Sequence, residues 1–374
     1  MPVDHLYRQL QQHLDQGPVG FPATESGVEI RILRHLFTPE EAGIALELSA
    51  IPEPLAVVYK RLKSKMSLAD CTRVLEQMAG KGLIHGIPIR GKMHYGKMIF
   101  VIGMYERQIN HLTPEFEKDA REYILGAFRE AFHSKTTTQL RVVPVNQSIA
   151  VEHNVATYDD IREYVRRSDG PFAKMNCICR QGNDLHRENC KQTNLRENCL
   201  TMGMAAETMV GHGAARFISQ EEMLQLLDEA DKEGLVLQPE NTKAPLFVCC
   251  CCGCCCGVLG SAKRFPRPAE YFSASFHAEV DAGDCSSCWM CRERCQMEAI
   301  LDVDGRSHVD EARCIGCALC VTTCPSGALK LKPVAAPKIP PDDTRALYIT
   351  LLRERYGPLG LASVGGRKLL GMKF

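Results

Sequence analysis

Twenty cysteines in 374 residues carry the chemistry of this chain, and eight of them fall into a repeated spacing. The first copy is Cys285-x-x-Cys288-x-x-Cys291-x-x-x-Cys295. The second, 29 residues further on, is Cys314-x-x-Cys317-x-x-Cys320-x-x-x-Cys324-Pro325. Three thiolates separated by two residues each lie on one tight loop and can wrap three irons of a cubane, while the fourth, at the start of a short helix, points elsewhere. Thiolates also hold zinc, but zinc patterns rarely carry this run twice.

Residues 280–332 resemble a bacterial-type two-cluster ferredoxin domain. The second half, from Cys314-Ile315-Gly316-Cys317 to Cys324-Pro325-Ser326-Gly327, follows that pattern closely. The resemblance implies crossed ligation, in which one 4Fe–4S cluster takes Cys285, Cys288, Cys291 and Cys324 and the other takes Cys314, Cys317, Cys320 and Cys295. The first half departs from the pattern at Gln296, where a proline usually follows the fourth cysteine, and at Trp289, between the second and third. Neither change removes a ligand. Both bear on solvent access and hydrogen bonding around the first cluster, and so on its potential.

A second constellation lies upstream. Cys177-Ile178-Cys179-Arg180 is followed by Cys190 and Cys199, and then by Cys249-Cys250-Cys251-Cys252-Gly253-Cys254-Cys255-Cys256-Gly257. A C-x-C pair in an extended strand puts both sulfurs on one side. Seven cysteines in eight residues cannot all ligate one cubane, because successive side chains of an extended chain face opposite ways. The expected third site takes Cys177, Cys179, Cys190 and Cys199, with Cys249, Cys251, Cys252, Cys255 and Cys256 completing it or building a second, unusual cluster. A further Fe–S cluster, a zinc or other soft-metal site, and a group of redox-active or buried thiols all stand as readings of this region. Arg180, His186, Arg187 and Lys191 would supply cationic donors to a negatively charged cluster, or would sit in solvent on a ligand loop. His212 between two glycines is a weaker ligand candidate. The pairing of a Cys-x-Cys-Arg segment with a later cysteine-glycine run resembles uncharacterised ferredoxin-like proteins of anaerobic bacteria over most of the chain.

Composition narrows the class. The 45 basic and 45 acidic residues balance, so no overall field attracts nucleic acid or an anionic membrane. Cysteines in ligand spacing, in a large chain with no recognisable signal peptide, point to a reducing cytoplasm instead of a disulfide scaffold. No apolar run reaches the roughly 18 residues that span a bilayer.

The elements that must position these thiols read as α+β and multidomain. The expected order is an N-terminal arm (1–28), a winged-helix-like domain (29–112), a helical connector (113–175), a mixed cysteine-rich middle domain (176–265), the two-cluster ferredoxin-like domain (280–332), and a linker with a C-terminal helical tail (333–374). Thr38-Pro39-Glu40-Glu41 has the form of a capping box, a second helix covers residues 55–62, and Ser67 caps a third that ends at Gly80 and Gly82. Residues 83–85 and 97–102 read as strands about a turn at Arg90-Gly91-Lys92. This order resembles a winged helix, whose third helix enters the major groove in DNA-binding members. Here that helix sets Arg73 and Lys81 against Asp70 and Glu76, too near neutral for strong phosphate contact. A long helix opens at Thr113-Pro114, and Ser219 with Glu222 caps another that Gly234 ends.

The reading favoured by these residues is an iron–sulfur electron-transfer protein or oxidoreductase subunit that works with a redox protein partner. An Fe–S-dependent winged-helix regulator binding DNA is the first alternative, and an enzyme with chemistry at an unusual cluster the second. No Gly-x-Gly-x-x-Gly fingerprint follows a strand and no P-loop appears, so the electrons are expected to come from another protein.

Overall fold

The computed structural model describes residues 3–134, 136–145, 157–369 and 373. Helices and strands are mixed along the chain, an α+β composition. Two compact units divide it: residues 1–132 with 348–374, and residues 133–347.

The first unit begins with α1 (Val3–Asp15), which packs on α2 (Val28–Leu36) and α3 (Pro39–Ala45). Tyr7, Leu10 and Leu14 recur at helical spacing on the buried side of α1. The capping box is formed: the Thr38 hydroxyl accepts from the Glu41 N–H and the Glu41 carboxylate from the Thr38 N–H. Next come β1 (Glu53–Pro54), α4 (Leu55–Leu62), α5 (Leu68–Gly80) capped by Ser67, β2 (Ile84–Ile89) and β3 (Lys92–Lys97). The three strands pair antiparallel in the order β1-β3-β2.

The second strand of this ribbon lies upstream of the expected 97–102. Arg90 (φ 49) and Gly91 (φ 72) make a two-residue turn with both residues left-handed, which pairs Ile89 with Lys92 and fixes the register from there. The apolar run after Lys97 leaves the sheet and buries Phe100 against Phe21, Tyr123 and Phe128. The helix expected to run on through Phe128 is broken at Gly126 into α6 (Pro114–Leu125) and α7 (Phe128–Phe132).

The second unit is built on a five-stranded antiparallel sheet. In chain order it holds β4 (Arg141–Val142), α8 (Ile161–Arg167), β5 (Phe172–Met175), α9 (Ile178–Leu185), β6 (Cys199–Met202), α10 (Gly203–Gly211), β7 (Ala215–Ile218), α11 (Gln220–Lys232), β8 (Val236–Pro239), β9 (Phe247–Cys251) and α12 (Gly257–Ala262). The sheet order is β7-β5-β6-β9-β8. β10 (Ser273–Ala274) pairs parallel with β4. Then come β11 (Phe276–Val280), α13 (Met290–Arg294), β12 (Ile300–Val303), β13 (Arg306–Val309) and β14 (Leu329–Pro333). The last helix, α14 (Thr344–Leu369), starts in this unit, belongs to the first from residue 348 onward, and bends at Gly357 ahead of Pro358. One core joins Leu200, Leu227, Val236 and Val248 of the sheet region to Ile315, Leu319 and Leu331 of the ferredoxin-like segment, and Cys250, Cys251, Cys252 and Cys256 belong to it. Along the described residues no helix is long and apolar enough to cross a membrane.

Candidate metal centres

Two short pairings place the repeated cysteines. Val280 of β11 pairs with Leu329 of β14, and these residues stand five before Cys285 and five after Cys324. Ile300 of β12 pairs with Val309 of β13, five after Cys295 and five before Cys314. Each pairing therefore draws the last cysteine of one run toward the first of the other. Cys285, Cys288, Cys291 and Cys324 line one cavity, together with Trp289 and Ser307. Cys295 lies close enough to Cys314, Cys317 and Cys320 to act on the charge of all three. Gly316 (φ 67) permits the second loop, since a Cβ there would lie 2.0 Å from the Phe276 carbonyl oxygen.

The donor set suits iron–sulfur cores, whose thiolates are tuned by N–H and O–H groups. The Ala278 N–H reaches Cys314 Sγ at 3.4 Å and the Ala299 N–H reaches Cys295 Sγ at 3.2 Å. Ser307 Oγ lies 3.3 Å from Cys291 Sγ. The backbone N–H groups of Ser307 and Ser287 draw the Cys285 thiol below its ordinary pKa. Burial pushes Cys317 up to about 12, with the nearby Cys295 and Cys314 adding to the rise. Trp289, at a left-handed position (φ 64) ahead of α13, puts its ring against the first cavity, with Arg292 over it at 6.0 Å. The signal for Ser307 was absent from the cysteine pattern, since the hairpin that brings it in lies between the runs.

The middle cysteines divide differently from the expected set. Cys177 and Cys179 do not continue a strand: β5 stops at Met175, Cys177 is the residue before α9, and Cys179 is inside that helix. Cys199 of β6 is the cross-strand partner of Cys249 on β9, and Cys251 shares that face of β9 while Cys250 turns to the other. Hydrogen bonds between thiols run Cys177 to Cys179, Cys179 to Cys256, Cys256 to Cys251, Cys251 to Cys249 and Cys249 to Cys199. Within this string of six, a bond to a neighbouring thiol and then burial raise the pKa of Cys177, Cys249 and Cys251.

Cys190 is not in that string. It meets Cys252, Cys254 and Cys255, and the four sulfurs all lie within 4.8 Å of one another. Cys190 Sγ is 3.7 Å from both Cys252 and Cys254, and Cys254 is 3.6 Å from Cys255. Cys254 was missing from the expected ligands. Gly253 interrupts the alternation that would have assigned it a face, and the chain turns there. Hydrogen bonds with Cys252 and Cys255 lower the pKa of Cys254, and those with Cys252 and Cys254 raise that of Cys255.

Of the expected cationic neighbours, Arg180 is buried between the two thiol groups. It donates to Asn198 Oδ1 at 2.6 Å and to the Cys250 carbonyl at 3.1 Å, hydrogen-bonds Cys190, and feels the charge of Cys177, Cys251 and Cys252. Lys191 contributes its backbone N–H to Cys254. Arg187 is exposed at a left-handed position (φ 59), and His212 is an exposed residue at the end of α10 whose Nδ1 bonds the Thr208 carbonyl. His186 caps the end of α9.

Gln296, the departure from the ferredoxin pattern, acts on the cysteine run. Its Oε1 accepts from the Gly253 N–H at 2.7 Å and its Nε2 donates to Gln192 Oε1 at 2.9 Å. The approach is close: a Cβ on Gly253 would lie 2.4 Å from the Gln296 carbonyl oxygen.

Comparison with known proteins agrees with this chemistry at the C-terminal cysteines. The 4Fe-4S binding domain family matches residues 306–329, which hold Cys314, Cys317, Cys320 and Cys324. The chain is 39% identical over 51 residues to indolepyruvate oxidoreductase subunit IorA of Methanothermobacter marburgensis, covering 14% of this chain and 8% of that one. It is 45% identical over 42 residues to an uncharacterised ferredoxin of Methanocaldococcus jannaschii, covering 11% of this chain and 28% of that one. The chain thus spans less than a third of either relative's length. No solved structure matches it. Its residues carry a 4Fe–4S ferredoxin-type domain homologous to ferredoxin and oxidoreductase-subunit sequences.

Proposed function

We propose that the protein transfers electrons, as a carrier or oxidoreductase subunit, through two 4Fe–4S clusters held by Cys285, Cys288, Cys291 and Cys324 and by Cys314, Cys317, Cys320 and Cys295. The observation that carries the reading is the exchange of fourth cysteines: Cys324 lines the cavity of the first run, and Cys295 acts on the thiols of the second. Such clusters supply one-electron chemistry; the chain's own residues set hydrogen bonding and solvent access around the sulfurs. The thiols of residues 177–256 form the further metal or Fe–S site to or from which electrons pass, and a separate redox protein is the partner, in keeping with the redox names of the relatives.

Anaerobically purified protein should contain at least eight irons and eight acid-labile sulfides, about four for each cluster. Replacing Cys324 or Cys320 by alanine should each remove about four irons and one of the two reduced-state EPR signals. Colourless protein lacking sulfide would end the reading.

A winged-helix regulator remains the second reading, supported by the β1-β3-β2 sheet with α4 and α5 ahead of its hairpin and by Arg90 and Lys92 exposed at the hairpin tip. Against DNA binding stand the mixed charges Asp70, Arg73 and Glu76 on α5. Duplex binding by the cluster-loaded protein that weakens steeply with salt would favour the regulator.

A further inference from the structure

We propose that Cys190, Cys252, Cys254 and Cys255 hold a single four-coordinate thiophilic metal ion, zinc above all, separate from every iron–sulfur cluster. With metal–sulfur bonds of about 2.3 Å, the edge of a tetrahedron of thiolates is about 3.8 Å. The sulfur separations of 3.6, 3.7 and 3.7 Å sit at that edge, and all four sulfurs stay within 4.8 Å of one another. A cubane binds each thiolate to a different iron at the corners of a larger body, and so spreads its four sulfurs further apart. A line of hydrogen-bonded thiols brings successive sulfurs close but has no reason to close on itself.

The site lies at the edge of the core. Cys252 is buried in it, but Cys254 is exposed and Cys190 and Cys255 are half-buried, where apolar packing gains little from a thiol. Four thiolates and a divalent ion carry net negative charge, which the Arg180 hydrogen bond to Cys190, the Lys191 N–H on Cys254 and the nearby Arg196 offset. Metal enters as the thiol protons leave. The donor set is closed, with no position kept for substrate, which is the character of a structural ion. The ion would fasten the loop after β9 to the loop after α9, two segments otherwise far apart in sequence. The inference takes these four thiols out of the proposed electron path, leaves the string from Cys177 to Cys199 as the further redox site, and does not depend on the electron-transfer reading.

The test is a metal and sulfide inventory of the full chain purified anaerobically from medium containing iron and zinc. Cubanes bring iron and sulfide in equal numbers, so the wild type should show one metal ion in excess of sulfide. Cys190→Ser with Cys254→Ser should lose that ion and no sulfide, and keep the ferredoxin EPR signals. Zinc-edge X-ray absorption of the wild type should show four sulfur neighbours at about 2.3 Å. One iron in place of zinc, again without sulfide, supports the same site. Equal metal and sulfide in the wild type, or a loss of four irons with four sulfides in the variant, overturns the proposal. Absence of the ferredoxin signals with the excess ion still present would overturn electron transfer and leave this site standing.

Discussion

At the scale of single residues, the repeated cysteines were legible because their ligand spacing is local: three thiols on one loop need no knowledge of the fold. Of the thiols gathered about Cys190, the sequence offered Cys190, Cys252 and Cys255 as ligands but neither grouped them apart from the rest nor included Cys254, since Gly253 destroys the alternation that would have sorted the run. Gln296 gives the same lesson. As a departure from the ferredoxin pattern it was visible, but its role as a tie to Gly253 and Gln192 exists only in the folded unit. Replacing Gln296 by leucine takes the partner from the Gly253 N–H and from Gln192 Oε1, a cost of about 1–3 kcal/mol. Anaerobic denaturant titration of cluster-loaded protein should show that loss with iron content unchanged. Gly253→Ala should cost more, because its new methyl group meets a backbone oxygen that cannot rotate away.

At the scale of elements, helix starts were the clearest part of the sequence. Thr38, Ser67 and Ser219 each accept from the N–H three residues on, as their side chains and positions predict. Strands were less secure, since hydrophobicity alone placed one at residues 97–102, whereas the turn at Arg90 and Gly91 sets β3 earlier. That shift puts Lys97 at the buried end of β3, its Nζ donating to the His13 carbonyl at 2.9 Å. Burial, reinforced by Lys373 and Arg355, lowers its pKa to about 7. The unfolded chain, with a lysine near 10.4, then binds more protons than the folded one between pH 7 and about 10, so this group's penalty on folding is full below pH 7 and fades as pH rises. Denaturant midpoints of wild type and Lys97→Met measured across that range should move in favour of the wild type. Parallel curves would show that Lys97 does not titrate there.

At the scale of the molecule, Cys71 is the lone cysteine of the first compact unit, and the other nineteen belong to the second. The first unit folds on aromatic and aliphatic packing around Phe21, Phe100 and Tyr123. The small core of the ferredoxin-like segment includes Cys291 and Cys320 among only a few apolar side chains, so metal ligation there carries a share of the folding energy. Anaerobic treatment with a strong chelator should therefore lower the melting temperature of one calorimetric transition and leave another in place. A single transition, shifted as a whole, would mean that the two units unfold together. The cavity lined by Cys285, Cys288, Cys291 and Cys324 has one more consequence. A ribosome releases the first three of these residues before the fourth, so the set proposed to hold the first cluster stays incomplete until the second run has emerged, and iron for that cluster has to wait until Cys324 is outside the ribosome.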